Sequence, residues 1–194
     1  YTLLALHEMA HVFVFSSDLF DQFIDSNVVN IPKQNVVASN IMVNGVSRSQ
    51  IITPKVLQTA AKHFNCQGIQ GVELEDQGAS GTAGSHWESR VMLGDFMVGQ
   101  SYDENVISEI TLALFEDSGW YKVNYYTGGL FRWGKHAGCG FLNTKCFILG
   151  SPSFANEFCK YNGDSVCFAS RTGKANCLIN SNVQNIPQSY QYFD

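Results

Sequence analysis

Residues 2–15, TLLALHEMAHVFVF, hold His7 and His11 four positions apart in a run with neither glycine nor proline. Such a run predicts a helix. Apolar Leu3, Leu4, Leu6, Ala10 and Phe13 or Val14 predict that it is largely buried. Side chains four apart share one helix face, so both imidazoles can reach a single Zn²⁺ at about 2.0–2.1 Å. Glu8 completes an H-E-x-x-H pattern. It stands one position on, where it can meet a metal-activated water without being a ligand. There it would act as general base and hand the proton to the leaving amine.

A catalytic zinc needs a third protein ligand and an open position. A glutamate on a second helix would serve, but residues 12–40 hold Asp18, Asp21 and Asp25 and no glutamate. The next are Glu73 and Glu75, in a glycine-rich stretch. A histidine in the compact pattern H-x-x-G-x-x-H would need Gly at Val14 and His at Ser17, and neither is there. His63, His86 and His136 remain. His86 follows Gly81, Gly84 and Ser85, a loop able to bring an imidazole to a metal. His63 is expected on an exposed helix face and His136 in a loop.

The 194 residues are one domain, or one with a small annex. Lys and Arg total 12 against 17 Asp and Glu, a net charge of −5 with no basic run, which argues against nucleic acid as a partner. No uninterrupted apolar stretch approaches the roughly 20 residues of a membrane span. Five of the six cysteines lie between 139 and 177 and none is spaced C-x-x-C, a pattern of disulfides in an oxidising compartment. Residues 16–52 read as loops with short strands at Val28-Val29, Val36-Val37 and Ile51-Ile52. Thr53-Pro54 reads as an N-cap followed by a first-turn proline, opening a helix through about Asn65. The five glycines of 68–85 predict an irregular, closely packed loop. A further helix is expected from Asp103 or a neighbour, with Gly119 as its stop. The chain opens without a start methionine or a signal peptide, so an N-terminal part is expected to be missing.

Several segments, in order, resemble leishmanolysin, the M8 metalloproteases of the metzincin clan. They are H-E-x-x-H, then ELEDQGASGTAGSHWE at 73–88, then DFMVG at 95–99, LALFEDSGWY at 112–121 and WGKHAGCGFLNTKC at 133–146. The likeness covers most of 1–180 and is weakest in 17–60. It implies an α+β fold: the C-terminal part of a metzincin zinc-protease catalytic domain with an insertion after the active-site helix, then a disulfide-rich, mostly irregular annex. The expected boundaries are 1–120 for the catalytic portion and 121–194 for the start of a cysteine-rich C-terminal domain. Within the first lie the active-site helix 2–15, the insertion at about 17–66, the third-ligand loop and Met-turn at 68–99, and a helix at about 103–118.

The resemblance further implies His7, His11 and His86 as zinc ligands, Glu8 as general base, and Met97 as the apolar floor under the metal. It implies Cys66–Cys139 and Cys159–Cys177 disulfides, with Cys146 and Cys167 pairing to cysteines beyond Asp194. It implies zinc as cofactor, extended polypeptides as substrates and a secreted or cell-surface location. Membrane association would come through segments outside this chain. The family has glycine where this chain has Val14, which either lengthens the helix by a turn or is tolerated. The resemblance also implies that the N-terminal half of the catalytic domain lies outside these residues, so they alone are expected to be inactive without it and the remaining C-terminal domain. The alternative is a non-catalytic extracellular or cell-surface assembly or adhesion component that keeps the protease fold.

Overall fold

The computed structural model describes residues 2–43, 46–78, 81–100, 105–148 and 151–179. The chain opens with helix α1 (Thr2–Phe13). A hairpin follows, β1 (Val37–Val43) and β2 (Val46–Ile51), then α2 (Pro54–Phe64) and a short β3 (Val72–Glu73). Next come the single turn α3 (Ser89–Met92) and α4 (Glu109–Asp117). Beyond these lie α5 (Cys139–Asn143) and two small antiparallel ladders. One ladder pairs β4 (Phe147–Ile148) with β5 (Ser151–Pro152), the other β6 (Ser165–Cys167) with β7 (Lys174–Asn176). The architecture is mixed helix and antiparallel sheet.

Strands β1, β2 and β3 form one antiparallel sheet in that order, with an irregularity between Ala38 and Ile41 where Asn40 adopts φ 59°. The ladder continues past β3 into irregular chain. The Glu75 amide donates to the His86 carbonyl (2.8 Å), the Glu88 amide to Glu73 (3.0 Å) and the Trp87 amide to Met97 (2.9 Å). Residues 86–88 are thus clamped between the sheet and the 95–98 turn. Under this ladder the core gathers Phe15, Phe20, Phe23, Ile51, Phe64, Leu74, Trp87 and Met92, with α2 packed on α4.

Several expectations are corrected. Helix α1 ends at Phe13, and the Val14 and Phe15 amides both donate to the Ala10 carbonyl (2.9 and 2.8 Å). Val14 therefore does not extend it; it turns inward and is fully buried. Nor is α1 largely buried: only Ala10 is, while Leu4, Met9 and Val12 are 50%, 48% and 73% exposed. Nothing in the described chain covers that face. Val28-Val29 is not a strand but an exposed turn, with Val28 at φ 61° and Asp25 accepting the Asn27 and Val29 amides.

The expected helix start at Asp103 lies outside the described residues, and α4 begins only at Glu109. Val106 keeps the chain extended by pairing with Asp95, its amide donating to Gly94 (2.8 Å) and its carbonyl accepting from Phe96 (2.8 Å). Ser108 then caps α4, its hydroxyl accepting from the Thr111 amide. Helix α2 starts where Thr53-Pro54 predicts, but its first amides are not capped by Thr53. Asp117 of α4 accepts from Lys55 and Val56 instead (3.1 and 2.9 Å). Gly119 follows α4 at φ +77°, and a Cβ there would stand 2.2 Å from the Ile24 carbonyl oxygen. No described helix is long and apolar enough to cross a membrane.

Candidate metal centre

Three imidazoles converge, and two of them, His7 and His86, line a cleft of about 240 Å³. His7 and His11 project from one face of α1, as spacing of four on a helix requires. His86 reaches them from the ladder between β3 and the 95–98 turn. Each pair of Nε2 atoms is 3.1 Å apart.

The outer ring nitrogens explain this geometry. His7 Nδ1 donates to the Phe96 carbonyl (2.5 Å), His11 Nδ1 to Phe15 (2.8 Å) and His86 Nδ1 to Thr82 (2.9 Å). A carbonyl oxygen only accepts, so each ring keeps its proton on Nδ1 and turns an Nε2 lone pair inward. Three lone pairs at this separation repel. A proton on one nitrogen could bridge a single pair, whereas one cation satisfies all three. The donor set fits zinc in size and chemistry. Three atoms 3.1 Å apart lie on a circle of about 1.8 Å radius, just inside the ~2.0–2.1 Å of a Zn–N bond, and neutral imidazole is a preferred zinc ligand. His86 is buried, and desolvation holds its proton affinity below the ordinary imidazole value, with His11 and His7 adding to the effect. Burial thus favours the neutral, ligating form.

Glu8 is exposed and lines the same cleft, with Leu3, Leu4, Thr82, Val98 and Asn105. Its charge acts on His86, favouring the protonated ring. Met97 is fully buried in the 95–98 turn, and its neighbour Phe96 supplies the carbonyl that holds His7. Gly99 closes the turn where a Cβ would press to 2.9 Å from the Thr82 methyl, so the loop holding His86 and the turn holding His7 lie in contact.

The other candidate residues lie elsewhere. His63 is not an exposed helix residue; Nε2 donates to the Trp133 carbonyl (2.8 Å) and the ring stacks on Phe131. His136 is an exposed loop residue at φ 61°. Glu75 groups with Asp76 and Glu88, apart from the histidines. Buried Arg48 pairs with Asp76, and burial pushes the Glu75 carboxyl up. Cys66 is bonded to Cys139 and Cys159 to Cys177, while Cys146 and Cys167 are in no disulfide.

Sequence reasoning missed the three carbonyls, which no side-chain pattern announces. It also missed Asp95, whose signal was available: it is the only charged residue but one in Ser89–Gln100. Burial pushes its carboxyl up to about 6, against hydrogen bonds from Ser108, Met97 and Thr111.

Three converging imidazoles, with a carboxylate lining the adjoining cleft, form a group that could hold one metal ion. The family model for leishmanolysin, peptidase family M8, matches residues 1–194, and the chain belongs to this family of metallopeptidases. A leishmanolysin-like peptidase of Drosophila pseudoobscura pseudoobscura is 38% identical over 174 residues, covering 83% of this chain and 25% of the relative. A leishmanolysin homolog of Crithidia fasciculata is 32% identical over 188 residues, covering 96% and 27%. Leishmanolysin of Leishmania major is 30% identical over 194 residues, covering 99% and 30%. The chain thus spans between a quarter and a third of the length of these curated relatives.

Proposed function

We propose that this chain carries the active-site portion of a zinc-dependent endopeptidase of leishmanolysin type, in the metzincin clan. His7, His11 and His86 hold the zinc, and Glu8 is the general base. The convergence of three inward lone pairs, each fixed by a carbonyl behind its ring, is the observation that carries this reading. Zinc, when bound, supplies Lewis-acid polarisation of the scissile carbonyl and makes water acidic enough to attack near neutral pH. Glu8 takes the proton from the attacking water and returns it to the departing amine, so it ends the cycle as it began. Its exposure on the cleft side of α1 leaves it free to do both.

Met97 packs the turn beneath the site and sets its floor. Residues 1–120 are the catalytic portion, with an insertion over about 17–66, and 121–194 open a cysteine-rich domain. Exposed Met9 and Val12 of α1 fit burial against another part of the catalytic domain. Substrates are extended polypeptides, and two disulfides fit a secreted or cell-surface protein.

Glu8→Gln in the intact protein should abolish peptide hydrolysis while stoichiometric zinc stays bound. Turnover retained by that variant would remove Glu8 as base. Stoichiometric zinc with no hydrolysis by the wild type would favour a non-catalytic assembly component instead.

A further inference from the structure

Asp95 is a carboxylate that the chemistry above does not use. It is fully buried, nine positions after His86. Every partner it has is a donor. Oδ1 accepts from the Met97 amide (2.7 Å); Oδ2 accepts from the Thr111 hydroxyl (2.8 Å) and the Ser108 amide (3.2 Å). The Thr111 hydroxyl accepts in turn from the Trp87 indole N–H (2.8 Å). An indole only donates, so the single proton of Thr111 is left to point at Asp95, and the direction of the chain is fixed.

The Ser108 arm leads to the N-cap of α4, and the other two arms lead to the histidines. Met97 follows Phe96, whose carbonyl holds His7. Trp87 follows His86 in the chain. The Trp87 ring meets Phe15 edge-on, centroids 4.8 Å apart, and the Phe15 carbonyl holds His11. We infer that Asp95, acting through Thr111 and Trp87, is the positioning residue that keeps the three imidazoles convergent. The inference rests on the reading of His7, His11 and His86 as one metal site.

A carboxylate is required because both of its ends must accept. Asparagine has the same shape but turns an N–H₂ toward one set of donors, leaving buried groups unpaired. Valine at 111 has nearly the shape of threonine, yet it cuts both the Trp87 and the Asp95 bonds while leaving Asp95 on Met97.

The test is zinc affinity of the intact protein by competition with a chromophoric chelator, together with the absorption bands of the cobalt-loaded form. Asp95→Asn and Thr111→Val should each weaken zinc binding about 10- to 100-fold and shift the cobalt bands, while Thr111→Ser should stay within about threefold of wild type. Phe141→Leu, a core change away from this network, should lower the melting temperature and leave zinc affinity unchanged, which separates positioning from general destabilisation. If Asp95→Asn does not fold, Thr111→Val decides. A folded Thr111→Val variant with wild-type zinc affinity and cobalt bands would overturn the inference. Zinc binding unaffected by His86→Ala would instead overturn the three-histidine reading, and the inference with it.

Discussion

Among the described residues of 2–120, buried apolar side chains recur every few positions, from Ala10 and Phe15 through Phe64 and Trp87 to Leu114. Among the described residues of 121–179 the buried apolar ones are Phe131, Trp133, Phe141 and Cys177. The first region also holds a buried polar network, Asp95 with Ser108 and Thr111, and a ladder of backbone bonds from β2 to the 95–98 turn. The second has two-stranded ladders of two or three residues, which are marginal alone, and one aromatic cluster. There Phe141 meets Phe64, Trp133, Phe154 and Phe158 with centroids 5.4 to 6.1 Å apart. Both disulfides involve the second region. Hydrogen bonds that orient side chains concentrate in the first region, around His7, His11 and His86; the region beyond relies on cross-links in place of core.

The largest effect expected of that contrast comes from the cross-link joining the two regions. Cys66–Cys139 spans 73 residues, and replacing both cysteines by alanine should cost about 4 kcal/mol in chemical denaturation. Cys159–Cys177 spans 18 residues, so its loss should cost about 3 kcal/mol. Hydrogen exchange should then rise in 151–179 and stay unchanged at Trp87 and Met97. Exchange rising equally in both regions would abolish the contrast.

Removing the cap on α4 is a smaller lesion inside the well-packed region. Ser108→Ala should cost about 1 kcal/mol, read from the denaturation midpoint. A loss several times larger would mean that the Asp95 network, and not the cap, had failed.

The smallest effect is a pH slope at the seam. Burial lowers the proton affinity of His63 below the ordinary 6.5, against the pull of the Trp133 carbonyl. At this residue the folded chain therefore binds fewer protons than the unfolded one just below about pH 6.5, so the His63 contribution to stability rises with pH through that window and is lost on acidification. His63→Gln should make the melting temperature rise less, or fall more, with pH between pH 5 and 7 than it does in the wild type. An unchanged slope would place the titrating group elsewhere.

How much of this was legible in the sequence follows from the same contrast. The pair His7 and His11 was legible because helical spacing alone brings them together. Residue spacing left the third position open among His63, His86, His136 and two glutamates, since the 75 positions between His11 and His86 are spanned by tertiary structure. The start of α4 was misjudged because Val106 and Ile107 carry a helical period but bond as extended chain to Gly94, Phe96 and Gly129. The exposure of α1 was misjudged because apolar spacing says a face wants cover and not whether the chain at hand supplies it. Backbone carbonyls leave no mark in a sequence at all.

The most direct test of the account is X-ray absorption on the zinc-loaded intact protein. It predicts three imidazole nitrogens at about 2.0–2.1 Å around one zinc in the wild type and two in His86→Ala. A zinc shell with sulfur neighbours, or one unchanged by His86→Ala, would contradict it.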